Sequence, residues 1–193
     1  MRNKRLVMLM EIAIFGALGF VLDRLLVFEM PQGGSITLVM LPILLMAFRR
    51  GVWAGVLTGF IVGLLQLITG NFYAAPLSFG FVILQVGLDY VIAFIVIGFA
   101  GLFRNRFLQA KDLDHKKGMV IAVVSGAFVG SFLRYIVHVI TGIFFFGEFA
   151  GEQNVVLYSL IYNSTYMIPV FLLGAIVCSI LFMTAPRLLQ PNN

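Results

Sequence analysis

From Leu6 to Thr184 the chain is a succession of long apolar stretches, and the short segments between them hold most of its charge. Breaks at Gly, Pro and charge clusters divide it near 6–27, 36–49, 51–69, 76–102, 118–146 and 155–184. Crossing the hydrocarbon of a bilayer takes about 20 apolar residues in a helix, and helical hydrogen bonding satisfies the backbone where water is absent. The pattern predicts an all-α integral membrane protein with six transmembrane helices. The second stretch is short and contains Pro42, so it is expected to tilt or break; the fourth and fifth exceed the need and should tilt or project. Composition agrees: 61% of residues are hydrophobic and 11% charged, against roughly 45–50% apolar in soluble domains. A chain of 193 residues is then filled by one transmembrane domain, 1–193. Arg2, Lys4 and Arg5 before the first run resemble the start of a signal peptide, but no small-residue cleavage site follows and Asp23–Arg24 interrupts the run. It reads as a retained helix.

Cations choose one side. Arg2, Lys4 and Arg5, then Arg49 and Arg50, then Arg104, Arg106, Lys111, Lys116 and Lys117, then Arg187 fall at alternate connections. The other connections, near 28–35, 70–75 and 147–154, carry Glu29, Glu148 and Glu152 and no Lys or Arg. The positive-inside rule predicts a multi-pass membrane protein with N and C termini cytoplasmic. A net charge of +5 does not point to nucleic acid, which needs a basic face on a soluble surface; these cations are explained by topology.

Gly51, Gly55, Gly59 and Gly63 recur every fourth residue and form a groove along the third helix, expected to serve packing within the chain. Ala13 and Ala17 make a second small-residue pair on the first helix. Within the apolar runs the ionisable residues are Glu11, Asp23, Arg24, Asp89, Arg134 and His138, and each is costly in hydrocarbon unless paired or wetted. Glu11, Asp23 and Arg24 lie near helix ends, where side chains reach water. Arg134, His138, Gly142 and Phe146 follow at four-residue spacing and share one broad side of the fifth helix. Asp89, with Tyr90, sits deep in the fourth, and an Asp89–Arg134 salt bridge that merely ties two helices is the structural alternative. The outer turns of the sixth helix add Tyr158, Ser159, Tyr162, Asn163 and Tyr166. Tyr166 reads as part of an aromatic belt; Asn163 needs partners for both ends of its amide. Together these outline an outward cavity suited to a flat, partly cationic heterocycle.

Catalysis has little support. The sequence holds no GxxxxGK[ST] loop and no HExxH pair, Cys178 is its only cysteine, and of its two histidines His115 lies in a connection. No metal or cofactor is expected, and the chain is not expected to hydrolyse ATP itself.

The segments MPQGGS (30–35), LDYVIAF (88–94), LRYIVHVITGIFFFG (133–147), LYSLIYN (157–163) and MTAPRLL (183–189) resemble the thiamine-specific S-components of energy-coupling factor (ECF) vitamin transporters. The resemblance covers nearly the whole chain. It implies a six-helix subunit of a prokaryotic cell membrane that captures thiamine from outside and delivers it through a transmembrane coupling subunit and two ATP-binding subunits, which hydrolyse the ATP. It also implies ligand-binding roles for Asp89, Tyr90, His138, Gly142, Phe146, Tyr158 and Asn163, with Tyr73 closing the site. Ala13 and Ala17 match the family's docking surface for the coupling subunit. Two departures stand out: Asp89 and Phe146 occupy positions that are glutamate and tryptophan in other members, giving a shorter carboxylate reach and a smaller stacking face. MPQGGS replaces a tryptophan-bearing segment, which brings Gln32 and Ser35 into question as contacts. Alternatives are an S-component for another vitamin or a thiamine precursor, a proton-coupled secondary transporter using Asp89, Arg134 and His138 as a relay, and a membrane subunit without ligand. The secondary transporter would require internal repeats or matched broken helices, and the sequence displays neither.

Overall fold

The computed structural model describes residues 4–25, 28–70 and 72–189. Six long helices run through it: α1 (Lys4–Arg24), α2 (Met40–Arg50), α3 (Val52–Ile68), α4 (Phe79–Asp112), α5 (Lys116–Phe145) and α6 (Val155–Thr184). A two-residue hairpin, β1 (Phe28–Glu29) and β2 (Ser35–Ile36), joins α1 to α2 with Phe28 opposite Ile36. Arg2 and the predicted end of the first span at 26–27 lie outside the described residues.

Helices α1, α4, α5 and α6 are each long and apolar enough to cross a bilayer, and α3 is apolar but shorter. Their outer faces carry exposed Ile14, Phe60, Phe128, Ile140 and Ile176, a surface that hydrocarbon solvates and water does not. The protein is accordingly a multi-pass membrane protein. Helix α2 differs from the expected span. It begins at Met40 because residues 35–36 pair as a strand, and its 11 residues rise only about 16 Å. Met40, Ile43, Leu44, Met46, Ala47 and Phe48 are all at most 1% exposed. Sheathed by its neighbours, α2 forms the core rather than meeting lipid. Pro42 sits in its first turn, where the absent N–H breaks no intrahelical bond, so the helix is not interrupted there.

The fourth helix also differs. Predicted over 76–102, it starts at Phe79 and continues to Asp112. Arg104 and Arg106 do not end it, because Phe107 on the extension is fully buried and meets Phe48 and Phe182 edge to face, with ring centroids 5.8 and 5.9 Å away. Midway the helix widens into a π turn over Gly87–Ile92 and then tightens to 3-10 geometry over Val96–Phe103.

Along α4 runs the glycine groove of α3. A Cβ on Gly63 would collide with the carbonyl oxygen of Tyr90, and one on Gly59 with that of Phe94. Gly55 faces the Cα of Gly98, and Gly101 faces Val52 and Gly51. The groove is thus an internal seam in which two backbones touch. At the Lys/Arg-rich end, Glu11 accepts from Arg49 Nη2 and Arg50 Nε, each at 2.7 Å, and Arg49 Nη1 donates to the carbonyl of Leu188. Glu11 therefore does not simply reach for water; it ties α1 to α2, and Arg49 ties α2 to the C-terminal turn Pro186–Leu189.

Candidate ligand-binding site

At the opposite end a cavity of about 300 Å³ opens between the helix ends and the β1–β2 hairpin, a volume at the lower end of small-ligand sites. Helix α5 supplies one wall with Arg134, His138, Gly142 and Phe146, in line as their four-residue spacing requires. The π turn of α4 supplies Asp89 and Tyr90, and π turns recur at functional sites. Helix α6 contributes Tyr158, Ser159, Tyr162, Asn163 and Tyr166; Tyr73 enters from the connection before α4. Every position the resemblance assigned to the ligand lines this one cavity.

At its centre is a hydrogen-bonded chain. Arg134 Nε donates to His138 Nε2 at 3.2 Å. Arginine can only donate, so Nε2 accepts and the imidazole carries its proton on Nδ1. That nitrogen lies 2.9 Å from Asp89 Oδ1 and donates to it. Asp89 pairs with His138, not directly with Arg134 as the salt-bridge alternative held; the guanidinium stacks over Phe94 with its carbon 4.5 Å from the ring centre. Two further donors hold the carboxylate: Thr141 Oγ1 at 2.6 Å and Gln85 Nε2 at 2.8 Å. Gln85 also bonds the backbone of Tyr73 and Ala75, and Tyr90 Oη accepts from the Tyr73 N–H at 2.7 Å. The 72–75 connection is thereby fastened to the same turn that presents Asp89.

Around this chain stand aromatic faces. Tyr73 stacks on Phe146 with centroids 5.9 Å apart and planes 28° from parallel, and Tyr158 stacks on Tyr162 at 5.8 Å. Asn163 satisfies both ends of its amide, donating to the carbonyl of Ser159 at 2.8 Å and accepting from Tyr166 Oη at 2.6 Å. Tyr166 is 4% exposed and edge-on to His138, so the aromatic-belt reading is wrong for it: the ring belongs to the cavity wall. Gly142 has a packing reason as well, since a Cβ there would strike Ser159 Oγ. The hairpin covers the cavity from above. Its Gln32 N–H donates to Tyr162 Oη at 3.0 Å, and Gly34 lies where a Cβ would come within 2.6 Å of the Tyr166 ring. Gln32 and Ser35 both line the cavity.

Several lining residues escaped the sequence reading. Gln85 stands one turn before Asp89 and Thr141 three residues after His138, spacings that name them as partners once the carboxylate and imidazole are singled out. Asp23 does not reach for water. It is buried, takes hydrogen bonds from Thr37 Oγ1 at 3.0 Å and Gln66 Nε2 at 2.8 Å, and lines the cavity with Gln66. Ala13 and Ala17 are exposed, turned away from the α1 face where Gly16 and Gly19 pack on Ile61 and Val62 of α3. Among the described residues no group of three His, Cys, Asp or Glu is placed to hold a metal ion.

The sequence matches the family described as "Thiamine transporter protein" over residues 9–190. It is 46% identical to the thiamine transporter ThiT of Bacillus subtilis (strain 168), across 100% of this chain and 98% of that protein. It is 30% identical to ThiT of Lacticaseibacillus paracasei, across 97% and 92% of the two chains. The crystal structure of ThiT from Listeria monocytogenes superposes with a TM-score of 0.88 at 32% identity, covering 98% of this chain and all of that one. Matched from the first helix to the last in both sequence and fold, this chain belongs to the thiamine transporter family.

Proposed function

We propose that this chain is the thiamine-capturing membrane subunit of an ECF-type importer. It binds the vitamin from outside and delivers it through a transmembrane coupling subunit and two ATP-binding subunits. The observation that carries the reading is the Asp89–His138–Arg134 chain set within an aromatic-walled cavity. A buried carboxylate suits a fixed positive charge, and the rings of Tyr73, Phe146 and Tyr158 suit a flat heterocycle. His138, Gly142, Asn163 and Tyr90 offer polar atoms and backbone to ring substituents. Names of relatives support thiamine as the ligand. The whole chain acts as one transmembrane domain with both termini cytoplasmic: the cation-rich connections lie at the end away from the cavity, as the positive-inside rule asks. It is not an enzyme; hydrolysis belongs to the partners, and Ala13 and Ala17 on the exposed side of α1 are where the coupling subunit docks. Release follows a rearrangement driven by those partners, since a bound ligand shifts conformations only by its differential affinity for them.

Calorimetric titration of the purified chain in detergent tests this, with Asp89→Asn alongside. Saturable thiamine binding that the variant loses is the expected result. If the folded chain binds the neutral pyrimidine half as well as it binds thiamine, and Asp89→Asn changes neither, a precursor or another vitamin is the ligand.

A further inference from the structure

We propose that Gln85 is a positioning residue that makes Asp89 and Tyr73 one unit: its amide answers to the atom presented at position 89 and seats the 72–75 connection accordingly. The proposal deepens the ligand-binding reading above and rests on it for its effect on affinity. Gln85 is 1% exposed and lines the cavity one turn before Asp89 on α4. Its Nε2 donates to Asp89 Oδ2 at 2.8 Å and to the Tyr73 carbonyl at 3.3 Å, while its Oε1 accepts from the Ala75 N–H at 3.3 Å. A side-chain amide has two N–H donors, so both are committed. The Ala75 N–H can only donate, which fixes the end of the amide that is oxygen.

Residues 72–75 form neither helix nor strand, so side-chain contacts decide where they sit. They carry the aromatic wall at the mouth: the Tyr73 ring stacks on Phe146, and Gly33 of the hairpin, at φ +87°, lies where a Cβ would come within 2.8 Å of Tyr73 Cβ. Turning the Gln85 amide would therefore disturb both the ring and the seat of the hairpin. What could turn it is the group at position 89. Asp89 Oδ1 accepts from His138 Nδ1 and from Thr141. His138 cannot withdraw that proton, because Arg134 donates to its other nitrogen. An amide in place of the carboxylate must then keep its oxygen towards His138 and aim its NH2 at Gln85. To accept, Gln85 must make a half-turn, which sets its carbonyl against the Tyr73 carbonyl and its NH2 against the Ala75 N–H. Both bonds to the connection would become contacts of like with like.

Hydrogen–deuterium exchange of the ligand-free full chain in detergent tests this, read on a peptide covering 72–75, with a peptide from α6 reporting general stability. Asp89→Asn and Gln85→Leu should each speed exchange at 72–75 by about tenfold, as the loss of one or two hydrogen bonds predicts, with α6 unchanged. The double variant should be no faster than Gln85→Leu alone, since asparagine then has no amide to turn. Asp89→Leu keeps the shape of the side chain but offers Gln85 no N–H, so it should stay within about threefold of wild type. Wild-type exchange in Asp89→Asn, an acceleration that Asp89→Leu matches, or additive effects in the double variant would overturn the proposal. If Gln85→Leu is unfolded, the comparison at position 89 decides: faster exchange with asparagine than with leucine supports the proposal, and equal rates overturn it. Thiamine titration reads the consequence for binding. Gln85→Leu should bind about tenfold more weakly, and that loss should shrink in a Tyr73→Ala background; an undiminished loss means that Gln85 does not act through Tyr73. Wild type that fails to bind thiamine would instead refute the functional reading beneath the proposal and leave the exchange result standing.

Discussion

Replacing Gly63 by alanine should disable the site without touching a single side chain in it. A Cβ at that position would collide with the carbonyl oxygen of Tyr90, in the π turn that presents Asp89. Non-bonded heavy atoms settle near 3.5–4.0 Å, so α4 must retreat from α3 by upwards of about 1 Å at this point. Asp89 sits 2.9 Å from His138 and 2.6 Å from Thr141, both on α5, and a shift of that size takes the carboxylate out of the geometry these bonds need. Hydrogen bonds to a charged group contribute about 1.5–3 kcal/mol each. Losing the geometry of one therefore predicts a fall in thiamine affinity of roughly ten- to a hundredfold. Gly87→Ala is the matched control: it lies in the same π turn with φ −61° and open space around its Cβ, so binding should be unchanged. Calorimetric titration of both variants, with melting curves to show they are folded, decides it. A folded Gly63→Ala that binds like wild type would refute the idea that the seam sets the carboxylate's position.

Gly142→Ala should weaken binding by straining α5 against Ser159, and the double variant Gly142→Ala/Ser159→Ala should recover part of the loss; titrations without recovery would mean the backbone at Gly142 is needed bare for the ligand. Glu11→Gln removes both ion pairs of the inner clasp, which are about 9–15% exposed, and should cost about 1–3 kcal/mol, read as a lowered Tm with thiamine affinity retained. Ala13→Trp with Ala17→Trp places bulk on an exposed face; binding by the isolated chain should persist while cellular thiamine uptake is lost, and normal uptake would remove this face as the docking surface.

What the sequence made legible was mostly what hydrocarbon enforces. Apolar runs marked the long helices because an unsatisfied backbone is intolerable in lipid, and the four-residue glycine period announced an internal seam. The extension of α4 was hidden because Arg104 and Arg106 look like a loop, while Phe107 that anchors it is one aromatic among many. The π turn left no local signal either; Gly87 before Asp89 is compatible with an ordinary helix. In the site, residues on the fifth helix could be aligned by spacing alone. Tyr166 and Asp23 could not, because their roles depend on how α6 and α1 are rotated about their axes, and an interfacial tyrosine or a terminal carboxylate facing inward spells the same as one facing out.

The α3–α4 seam bears on how such a protein moves. Where side chains interdigitate, helices have alternative packings to click between; where Gly55 meets Gly98 and Gly63 meets Tyr90 backbone to backbone, there are no rotamers to exchange. These two helices should therefore move together as one slab. Freedom to open then belongs to the pieces outside the slab, the β1–β2 hairpin held to α6 through Gln32 and Tyr162, and the 72–75 connection held to α4 through Gln85 and Tyr90. Each is fastened by a few hydrogen bonds and a ring contact, Gly34 against Tyr166 and Tyr73 on Phe146. The energy needed to uncover the cavity is then set by those few contacts, while the frame that keeps Asp89 in position is left undisturbed.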